Sequence, residues 1–334
     1  MINVIVDAFG GDNSPDAVIE GSVMAVSELS VKVTLVGDEK LIRSAAEKKG
    51  LSLSGIDIIH SDSVIDIHEE PTAVIKSKKD CSMAVGLSAL HEGKGDAFVS
   101  AGSTGALVVG ATFIAKRLKG IKRVALAPLL PAQDGYIMLL DAGANTDCRP
   151  EMLEQFAVMG SAYMEKVMGI KNPRVGLLNI GEEDTKGRDI EVESYKLLSA
   201  SKINFTGNIE ARDLPFSKCD VVVADGYTGN IALKLYEGMG LFFAKTLKGM
   251  LTKNLKSKIA AAFLMDEVKN FKKKIDYTEV GGAVLLGISK PVIKAHGSSD
   301  AKAFFNAIRQ AKNCVDGGVI GQISGYLESG KGGE

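Results

Sequence analysis

Short apolar runs rich in valine, isoleucine and leucine alternate along the chain with longer segments of helical period. The runs are continuously apolar, which is typical of strands buried on both faces of a mostly parallel sheet. The pattern therefore predicts an α/β fold of three layers, with helices on both faces of the sheet. Strands are predicted at residues 2–8, 31–38, 55–61, 96–102, 135–143, 174–181, 220–226 and 291–297.

Helical segments fill the gaps between the predicted strands, and prolines mark two of their starts. Pro15 and Pro150 each stand where a helix is expected to begin, because proline is tolerated at the first helical position. No internal repeat or low-complexity linker divides the chain. Residues 1–327 are therefore predicted to form a single domain, and residues 328–334 a flexible tail.

Residues 241–275 interrupt this alternation, because they hold a long helical pattern without a strand. Apolar residues recur every four positions, which predicts one apolar stripe along the segment. The stripe consists of Leu247, Leu251, Leu255, Ile259 and Phe263. Nine lysines accompany it, at positions 245, 248, 253, 256, 258, 269, 272, 273 and 274. The segment is predicted to be an amphipathic helical arm that projects from the domain.

Composition narrows the class of protein. The chain has 334 residues, 46% of them apolar, which is enough for a large core. Its net charge of −1 provides no overall field that would attract nucleic acid. The four cysteines are scattered without metal-ligand spacing, and the first residues lack the features of a signal peptide. A reduced, cytoplasmic protein without a bound metal is therefore expected.

Six strand-to-helix junctions share a glycine turn followed by a residue that can cap a helix. They read DAFGGD (7–12), SAGSTGA (100–106), DAGANTD (141–147), NIGEEDTKG (179–187), ADGYTGN (224–230) and AHGSSDA (295–301). Because carboxyl ends of parallel strands lie at one edge of a sheet, these turns are expected together at the ligand-binding edge. Glycine allows close backbone approach, and helix N-termini present free N–H groups. The junctions together predict a site for an anion, most naturally phosphate.

Polar side chains at these junctions have a functional and a structural interpretation. Asp7, Asp141 and Asp225 stand at strand ends beside glycine turns, where they bind substrate or only cap and fix the turn. Asn145 and Asn230 either hold an anion or a carbonyl group, or tolerate a left-handed backbone.

Two cationic or titratable residues leave the same alternatives open. Lys186 follows Glu182 and two further acids in its turn, so that it is either an anion-binding group or part of a solvated charge cluster. His296 ends the last predicted strand before Gly297 and two serines, and is either structural or functional.

Familiar signatures of other enzyme classes are missing. The glycine turns do not form the dinucleotide pattern GxGxxG, and no P-loop precedes a helix. The patterns of serine hydrolases and zinc peptidases, GxSxG and HExxH, are absent as well.

The junction motifs resemble those of the bacterial acyl-acyl carrier protein:phosphate acyltransferases, the PlsX family of phospholipid synthesis. The resemblance covers nearly the whole chain in the family's order and spacing. Its motifs are VDAFGGDNSP, SAGSTGA, LLDAGANTDCRPEMLEQFAVMG, LNIGEEDTKG, GNIEARDL, DVVVADGYTGNIALK and IKAHGSSDAKAFFNAIRQA. Members commonly have asparagine where this chain has Ser103 and Arg188. Since serine keeps a hydrogen-bond donor, adjustment of the site is expected and not loss of activity.

The resemblance implies a fold similar to the isocitrate and isopropylmalate dehydrogenases and to the phosphotransacetylases. It implies transfer of a long acyl chain from acyl carrier protein to inorganic phosphate, without a cofactor. The product, acyl phosphate, would serve a membrane glycerol-3-phosphate acyltransferase. A homodimer with its active site near the subunit interface, attached peripherally to the inner face of the membrane, is implied as well.

Residue roles follow from matching these motifs. Phosphate is the nucleophile of such a reaction, so no serine or cysteine nucleophile is required. Lys186 and Asn230 are expected to stabilise the oxyanion, and His296 to hold phosphate or accept its proton. Substrate-binding roles are expected for Asp7, Gly10, Gly11, Ser103, Thr104, Gly105, Asp141, Asn145, Glu182, Asp225 and Ser298.

Three rival functions remain at this point. The first is a short-chain phosphate acyltransferase that uses coenzyme A, against which the lysine-rich arm favours a large acidic carrier and a membrane. The second is a nicotinamide-dependent dehydrogenase on the same fold, for which no dinucleotide fingerprint is present. The third is a non-catalytic scaffold of lipid synthesis that retains only the arm.

Overall fold

The computed structural model of the protein describes residues 1–268, 271 and 280–329. Within this part, eleven strands form a single sheet. The strands are β1 (Asn3–Asp7), β2 (Lys32–Gly37), β3 (Ile56–His60), β4 (Ala97–Ser100), β5 (Ala125–Ala132), β6 (Gly135–Leu140), β7 (Arg174–Asn179), β8 (Asn204–Glu210), β9 (Val221–Val223), β10 (Ala283–Leu286) and β11 (Val292–Lys294). Their order across the sheet is β3-β2-β1-β4-β11-β10-β5-β6-β9-β7-β8.

Helices cover the sheet and also extend beyond it. The α-helices are α1 (Asp16–Leu29), α2 (Glu39–Lys48), α3 (Ser82–His91), α4 (Thr104–Gly110), α5 (Pro150–Lys166), α6 (Asp189–Ala200), α7 (Gly226–Thr252), α8 (Leu255–Phe263), α9 (Ala301–Asp316) and α10 (Val319–Ser329). Short 3-10 helices span Pro71–Ile75 and Ala211–Phe216, and a π-helical turn spans Ala111–Lys116. Pro150 opens α5 as predicted, whereas Pro15 precedes the first residue of α1.

All eight predicted strands are confirmed, and three further strands, β5, β8 and β10, were not predicted. β5 contains Pro128 and Pro131, and proline argues against a strand because it has no backbone N–H to donate to a neighbouring strand. β8 is polar and contains Gly207 at the sheet edge, and β10 has only four residues. Their pairing partners, not their own sequences, make these segments strands.

The sheet consists of two parallel halves that run in opposite directions. β1, β2, β3, β4 and β11 form one half, and β6, β7, β8 and β9 form the other. β5 and β10 join them through antiparallel pairs. Ala125–Pro128 of β5 pairs with β10, and Leu129–Ala132 pairs with β6. The carboxyl ends of the two halves therefore face each other near the middle of β5, and the expectation of one common edge is wrong.

Alternating side chains of the strands supply two cores on opposite faces of the sheet. Val4 and Val6 belong to the cluster that packs under α1, α5 and α9, whereas Ile5 belongs to the cluster under α3 and α4. A third cluster covers the other face of the second half and includes the first two turns of α7. This arrangement confirms the three-layer α/β fold that the apolar runs predict.

The predicted arm is the continuation of α7. Within this helix of 27 residues, the buried positions are Gly226, Gly229, Ala232 and Leu233, all near its start. Tyr236 in the third turn still contacts the body by donating to Pro131 O, and the helix leaves the body beyond that turn. No residue of α8 is buried. Among the helices described, none combines the length and the apolar character that crossing a membrane requires.

The apolar stripe on the arm is not continuous, because the helix breaks before α8. Asn254 caps α8 by accepting a hydrogen bond from the backbone N of Ser257 at 2.9 Å. Leu247 and Leu251 on α7 are half-buried. The α8 members of the stripe, Leu255, Ile259 and Phe263, are 74%, 53% and 83% exposed. Four of the predicted arm lysines (269, 272, 273 and 274) and Ile275 lie outside the described residues.

Candidate active site

Asp7 fixes the turn after β1. Its carboxylate is 2% exposed and accepts hydrogen bonds from Ser82 Oγ and Ser100 Oγ, each at 2.7 Å. The backbone N of Phe9 donates to the same carboxylate at 3.3 Å. Burial raises the pKa of Asp7, and the two serine hydrogen bonds oppose that rise. Asp7 therefore ties β1 to α3 and β4, which supports the structural interpretation of this residue.

The glycine turns after β1, β4 and β11 form one backbone-lined cradle, the glycine cradle. A Cβ at Gly10 would lie 2.6 Å from the backbone N of Gly102, and one at Gly11 would lie 2.9 Å from the carbonyl O of Gly297. Asp12 N donates to the same carbonyl at 2.8 Å. No side chain fits at these positions, because the three turns already touch. The cradle brings Gly10 and Gly11 together with the turn that carries His296 and Ser298.

The N-terminus of α4 follows the middle turn of the cradle. Ser103 caps it, with Oγ accepting from the backbone N of Ala106 at 3.5 Å. Thr104 and Gly105 form its first turn, whose free N–H groups suit an anion. Gly105 also lies against Pro71, whose Cγ would be 2.8 Å from an added Cβ.

Lys294 at the end of β11 is the residue that the sequence analysis missed. Its Nζ donates to the carbonyl O of Ala101 at 3.3 Å and to that of Ala295. No carboxylate forms an ion pair with it in the described part of the chain. Burial, together with nearby Lys234, lowers its pKa to about 8, while Asp12 and Asp7 act in the opposite direction. A lysine at the end of an otherwise apolar strand was the signal that could have identified it.

His296 is held in a defined tautomer by Ser298. The backbone N of Ser298 donates to His296 Nδ1 at 3.3 Å, and Ser298 Oγ lies 2.8 Å from the same nitrogen. Because Nδ1 accepts, a neutral ring carries its proton on Nε2. Partial burial lowers the pKa of His296 below its ordinary 6.5, with Glu237 opposing and Lys294 and Lys234 assisting. The neutral form therefore prevails at pH 7.

Asp141 organises the turn after β6. It is fully buried, and one oxygen accepts from the backbone N of Leu126 at 2.9 Å and of Ala144 at 3.1 Å. The other accepts from Asn145 through its backbone N at 2.7 Å and its Nδ2 at 2.9 Å. Burial raises the pKa of Asp141, and these hydrogen bonds oppose the rise. Asn145 Nδ2 also donates to Val124 O at 2.7 Å, so both side chains are used to hold the loop.

Asp225 caps α7 and anchors the loop after β7. One oxygen accepts from Thr228 N at 2.7 Å, and the other forms an ion pair with Arg188. Glu191 and Asp225 together raise the pKa of Arg188. Arg188, where asparagine is common in the resembling family, thus makes a structural link between the loop and α7.

Asn230 lies in the first turns of α7 and faces the Asp141 loop. A Cβ at Gly143 would be 3.4 Å from Asn230 Cγ. The side chain is exposed, and its amide forms no hydrogen bond with any described residue. Asn230 is therefore available to donate to a ligand, unlike Asn145.

Lys186 and Glu182 lie on the exposed loop after β7. Glu182 Oε1 accepts from Lys218 Nζ at 3.1 Å, so this acid is already paired. The backbone of Lys186 is fixed by its N–H to Glu183 O at 3.1 Å and its carbonyl to Asn179 Nδ2 at 3.0 Å. Its ammonium group pairs with no carboxylate of the described residues. Lys186 is therefore a free cation, two positions before the anchored Arg188.

Helix α7 connects the two groups of turns into one cleft. Its first turns pack on the Asp141 loop, and its third turn brings Lys234 and Glu237 close enough to shift the pKa of His296. Five residues separate Gly229 from Lys234, about 8 Å along a helix. On one side lie Asp7, Gly10, Gly11, Ser103, Thr104, Gly105, Lys294, His296 and Ser298, and on the other Asp141, Asn145, Asp225 and Asn230. Glu182 and Lys186 sit on the loop that Arg188 attaches to the second group.

Cys148 is the cysteine that contacts this cleft, where its Sγ lies 3.5 Å from Asn145 O. Burial raises its pKa to about 12, with nearby Asp141 and Asp225 adding to the rise. The thiol is therefore protonated at neutral pH and unsuited to act as a nucleophile.

One group of carboxylates has metal-like spacing within the described residues: Glu182, Glu210 and Asp213, with oxygens within 4.8 Å of one another. Lys218 Nζ binds Glu182 at 3.1 Å and Asp213 at 3.0 Å, and Arg212 pairs with Glu210. Two side-chain cations thus already pair with these three carboxylates.

Comparison with known proteins identifies the family. A family model described as fatty acid synthesis protein matches residues 2–322. The phosphate acyltransferase of Caldanaerobacter subterraneus subsp. tengcongensis is 46% identical over 328 residues, which is 98% of each chain. That of Clostridium botulinum (strain Langeland) is 47% identical over 325 residues, 97% of each chain. The chain belongs to the phosphate acyltransferase family. As such it is an acyltransferase that transfers an acyl group to phosphate in phospholipid synthesis, which rules out the dehydrogenase and scaffold alternatives.

Solved structures confirm the fold of this phosphate acyltransferase. A phosphotransacetylase from Streptococcus pyogenes superposes with a TM-score of 0.64 at 18% identity, covering 94% of both chains. A 4-hydroxythreonine-4-phosphate dehydrogenase from Klebsiella pneumoniae gives 0.57 at 13% identity, covering 94% of this chain and 99% of the other. At such identities the likeness shows a common fold and nothing of the substrate. The expected relation to phosphotransacetylase and dehydrogenase folds is confirmed.

Proposed function

We propose that the enzyme transfers a long-chain fatty acyl group from acyl carrier protein to inorganic phosphate. The acyl phosphate formed would then acylate glycerol 3-phosphate through a downstream membrane acyltransferase. The observation that carries this proposal is the glycine cradle with Lys294 beneath it, a compact cationic site that faces a second set of turns across the cleft.

The reaction needs no covalent enzyme intermediate. A phosphate oxygen attacks the thioester carbonyl carbon, and a tetrahedral oxyanion forms. The C–S bond then breaks, and the proton of hydrogen phosphate ends on the released thiol. A thiol of pKa near ~8.5 leaves readily, so a strong general acid is not required.

The cradle supplies what phosphate binding requires. The free N–H groups in the first turn of α4 would donate to the anion, and Lys294 would add a positive charge. His296 donates from Nε2 while Ser298 holds Nδ1. In this cleft the phosphate is desolvated and aimed, which is where much of the rate enhancement of such a transfer arises.

Oxyanion stabilisation is assigned to the opposite side of the cleft. Within the described ranges, the Asn230 amide has no hydrogen-bond partner there, and Lys186 on the adjoining loop pairs with no carboxylate. Both are free to strengthen their hydrogen bonds as charge develops on the carbonyl oxygen.

The arm is assigned the role of holding the enzyme at the membrane surface. Its exposed apolar side chains and its lysines suit an anionic membrane surface at the inner face of the cell membrane. A homodimer would present two such arms and strengthen weak attachment. Attachment there would release the hydrophobic acyl phosphate close to the membrane acyltransferase that uses it.

The proposal is tested with purified protein, palmitoyl-acyl carrier protein and labelled phosphate, with acyl phosphate as the measured product. Palmitoyl-coenzyme A and acetyl-coenzyme A serve as competing donors. We expect the highest kcat/KM with the carrier-protein thioester. A preference for acetyl-coenzyme A would instead support the short-chain alternative.

Lys186→Ala tests the oxyanion assignment in the same assay. We expect normal folding and a loss of roughly 10² to 10³ in kcat, the usual effect of removing one such donor. Lys196→Ala, which removes an exposed lysine on α6, is the matched control and should keep full activity. If Lys186→Ala retains more than half of the wild-type turnover, the lysine belongs to a solvated charge cluster.

A further inference from the structure

A basic pocket adjoins the cleft but takes no part in the site described above. It is a cavity of about 460 Å³ lined by Arg117, Lys122, Arg123, Asp147, Arg149 and Met152. The lining holds four cations and one carboxylate, a net charge of +3 before the pairing of Lys122 with Glu151 is counted, in a protein whose overall net charge is −1. A concentration of charge in a concave surface focuses the electric field on an anion.

The cations of this basic pocket are mostly not neutralised by the protein. Arg123 and Arg149 form no ion pair within the part of the chain that the structure describes. The side chain of Arg117 donates to the backbone carbonyl of Lys122 and to no other group of the described residues. Lys122 Nζ lies 3.6 Å from Glu151 Oε2, the one carboxylate paired with the group. All four cationic side chains are exposed and therefore accessible to a ligand.

The basic pocket borders the loop after β6, because Asp147 of its lining belongs to that loop. Arg123 immediately precedes Val124, whose carbonyl accepts from Asn145 Nδ2 at 2.7 Å. Arg149 follows four residues after Asn145 and directly precedes Pro150, where α5 begins. An anion in the pocket would therefore lie beside the loop that faces the phosphate cradle, and near the positive end of a 17-residue helix.

We propose that the basic pocket binds the phosphate ester of the pantetheine arm that carries the acyl thioester. This rests on the proposed function, because it presumes a donor whose thioester is attached to such an arm. The pocket is of the size that takes small-molecule groups. Arginine forks match phosphate geometry, and anchoring the arm here would leave its thioester end free to reach the cleft.

Neutral replacement of the two unpaired arginines tests this. In the full-length protein, Arg123→Gln/Arg149→Gln is compared with Lys171→Gln/Lys196→Gln, two exposed lysines elsewhere on the surface. KM and kcat are measured with palmitoyl-carrier protein, palmitoyl-coenzyme A and palmitoyl-pantetheine, which lacks the phosphate. We expect the arginine variant to raise KM for both phosphorylated donors roughly 10- to 100-fold, while palmitoyl-pantetheine is used as by wild type. The lysine variant should match wild type with all three donors.

Other results would overturn the assignment. An unchanged KM for the phosphorylated donors would show that the pocket does not bind the phosphate. An equal rise in KM for palmitoyl-pantetheine would show the same, because that donor lacks the phosphate. A loss confined to the carrier-protein thioester would assign the pocket to the protein surface of the carrier. A raised KM for inorganic phosphate alone would make it an acceptor site.

Direct binding keeps this test separate from the proposed reaction. Calorimetry with phosphopantetheine and with pantetheine needs no turnover, so that it remains informative if no acyl phosphate is formed. We expect wild type to bind only the phosphorylated compound, with an affinity that falls as salt rises, and the arginine variant to bind neither. Equal binding by wild type and the arginine variant would refute the pocket.

Discussion

Three ionisable side chains at the strand ends, the buried Asp7 and Asp141 and the half-buried Lys294, differ in how their charge is compensated. Asp7 and Asp141 each accept several hydrogen bonds from serine hydroxyls or backbone N–H groups, so their burial is compensated inside the protein. Among the described residues, Lys294 has two carbonyl oxygens as partners and no carboxylate. The incoming phosphate would supply the missing negative charge, which is why Lys294 is assigned to the substrate.

Lys294→Met is expected to impair phosphate use at pH 7. The substitution keeps much of the aliphatic volume and removes the charge. Loss of a hydrogen bond to a charged group typically costs about 1.5–3 kcal/mol, which is roughly 10- to 100-fold in affinity. The phosphate KM should rise by that factor while the KM of the acyl donor changes little. Initial rates at varied phosphate concentration measure both.

The pH dependence of stability provides a control for Lys294. The unfolded chain keeps the lysine proton up to its ordinary pKa of 10.5, whereas the folded protein releases it near 8. The unfolded state therefore binds more protons between these values, and the wild-type free energy of unfolding should rise with pH across that window. Lys294→Met should lack this rise. A variant with an unchanged phosphate KM and an unchanged stability profile would contradict both the assignment and its electrostatics.

His296→Gln separates a phosphate-binding role from a structural one. Glutamine can donate where Nε2 does, but it does not titrate. We expect a severalfold rise in phosphate KM. We also expect the loss of the acid-side inflection that wild type shows below pH 6.5, where protonation of Nδ1 breaks its bond to Ser298. The pH profile of kcat/KM measures this. If the KM and the profile both match wild type, His296 only shapes its turn.

Among the elements, α7 has two environments along one helix. Its first turns pack so tightly on the Asp141 loop that a Cβ at Gly229 would lie 1.9 Å from the carbonyl O of Asp141. Farther along, a Cβ at Gly238 meets no atom within 4 Å. Gly229 is therefore required because no side chain fits against the loop. At Gly238 a side chain would fit, and glycine there only lowers the helix propensity.

This difference predicts opposite effects of one substitution at two positions of α7. Gly229→Ala should destabilise the protein by ~1–3 kcal/mol or more, because backbone must move to admit the methyl group. It should also lower activity by displacing Asn230. Gly238→Ala should stabilise the exposed helix by up to about 1 kcal/mol and leave activity unchanged. Urea denaturation with an activity assay measures both, and a neutral Gly229→Ala would show that α7 does not rest on the loop as described.

On the scale of the whole molecule, charge and apolar surface are unevenly distributed. The net charge is only −1, yet the arm carries exposed apolar side chains such as Leu255, Ile259 and Phe263 with lysines between them. Apolar side chains that remain exposed to water contribute nothing to the stability of the domain. Exposed apolar patches commonly mark interaction surfaces, and we propose that a membrane, a second subunit or both cover this one.

Vesicle flotation tests the membrane role of the arm. Leu255, Ile259 and Phe263 are changed together to serine, and wild type is run beside the variant on anionic vesicles at low and high salt. We expect the variant to lose flotation, and wild type to float less at high salt because lysine contacts are screened. Ile67→Ser and Ile180→Ser, which remove isoleucines that are 73% and 80% exposed elsewhere, are the matched controls.

Sedimentation of the same proteins separates the two uses of the arm. A triple variant that remains a dimer but no longer floats assigns these side chains to the membrane. Equal flotation of the variant and wild type, with the dimer intact in both, would remove the membrane role. Loss of the dimer would assign the apolar face to the partner subunit.

The sequence by itself determined the fold class, the eight predicted strands, the long arm and most of the glycine turns. Strands such as β1 and β9 are apolar on both faces, so their burial is encoded in every residue. The turns are encoded as well, because only glycine permits the close approach seen at Gly10 and Gly11. Motif order was sufficient to indicate the family that the comparisons confirm.

Only the tertiary structure decided how these parts meet. β5 was not predicted because it contains two prolines, although it is the strand at which the direction of the sheet reverses. Without β5, the sequence predicted one common edge of turns, whereas the structure has two sets of turns that face each other. The tertiary structure also determines which charged side chains have their charge compensated. Asp7 is compensated by Ser82, which is far away in the sequence, whereas Lys294 meets only a carbonyl oxygen of Ala101 and its neighbour Ala295 among the described residues. The basic pocket joins residues 117–123 to residues 147–152 in the same way. Local patterns record burial and turns, whereas pairing and charge compensation are set by contacts between residues far apart in the chain.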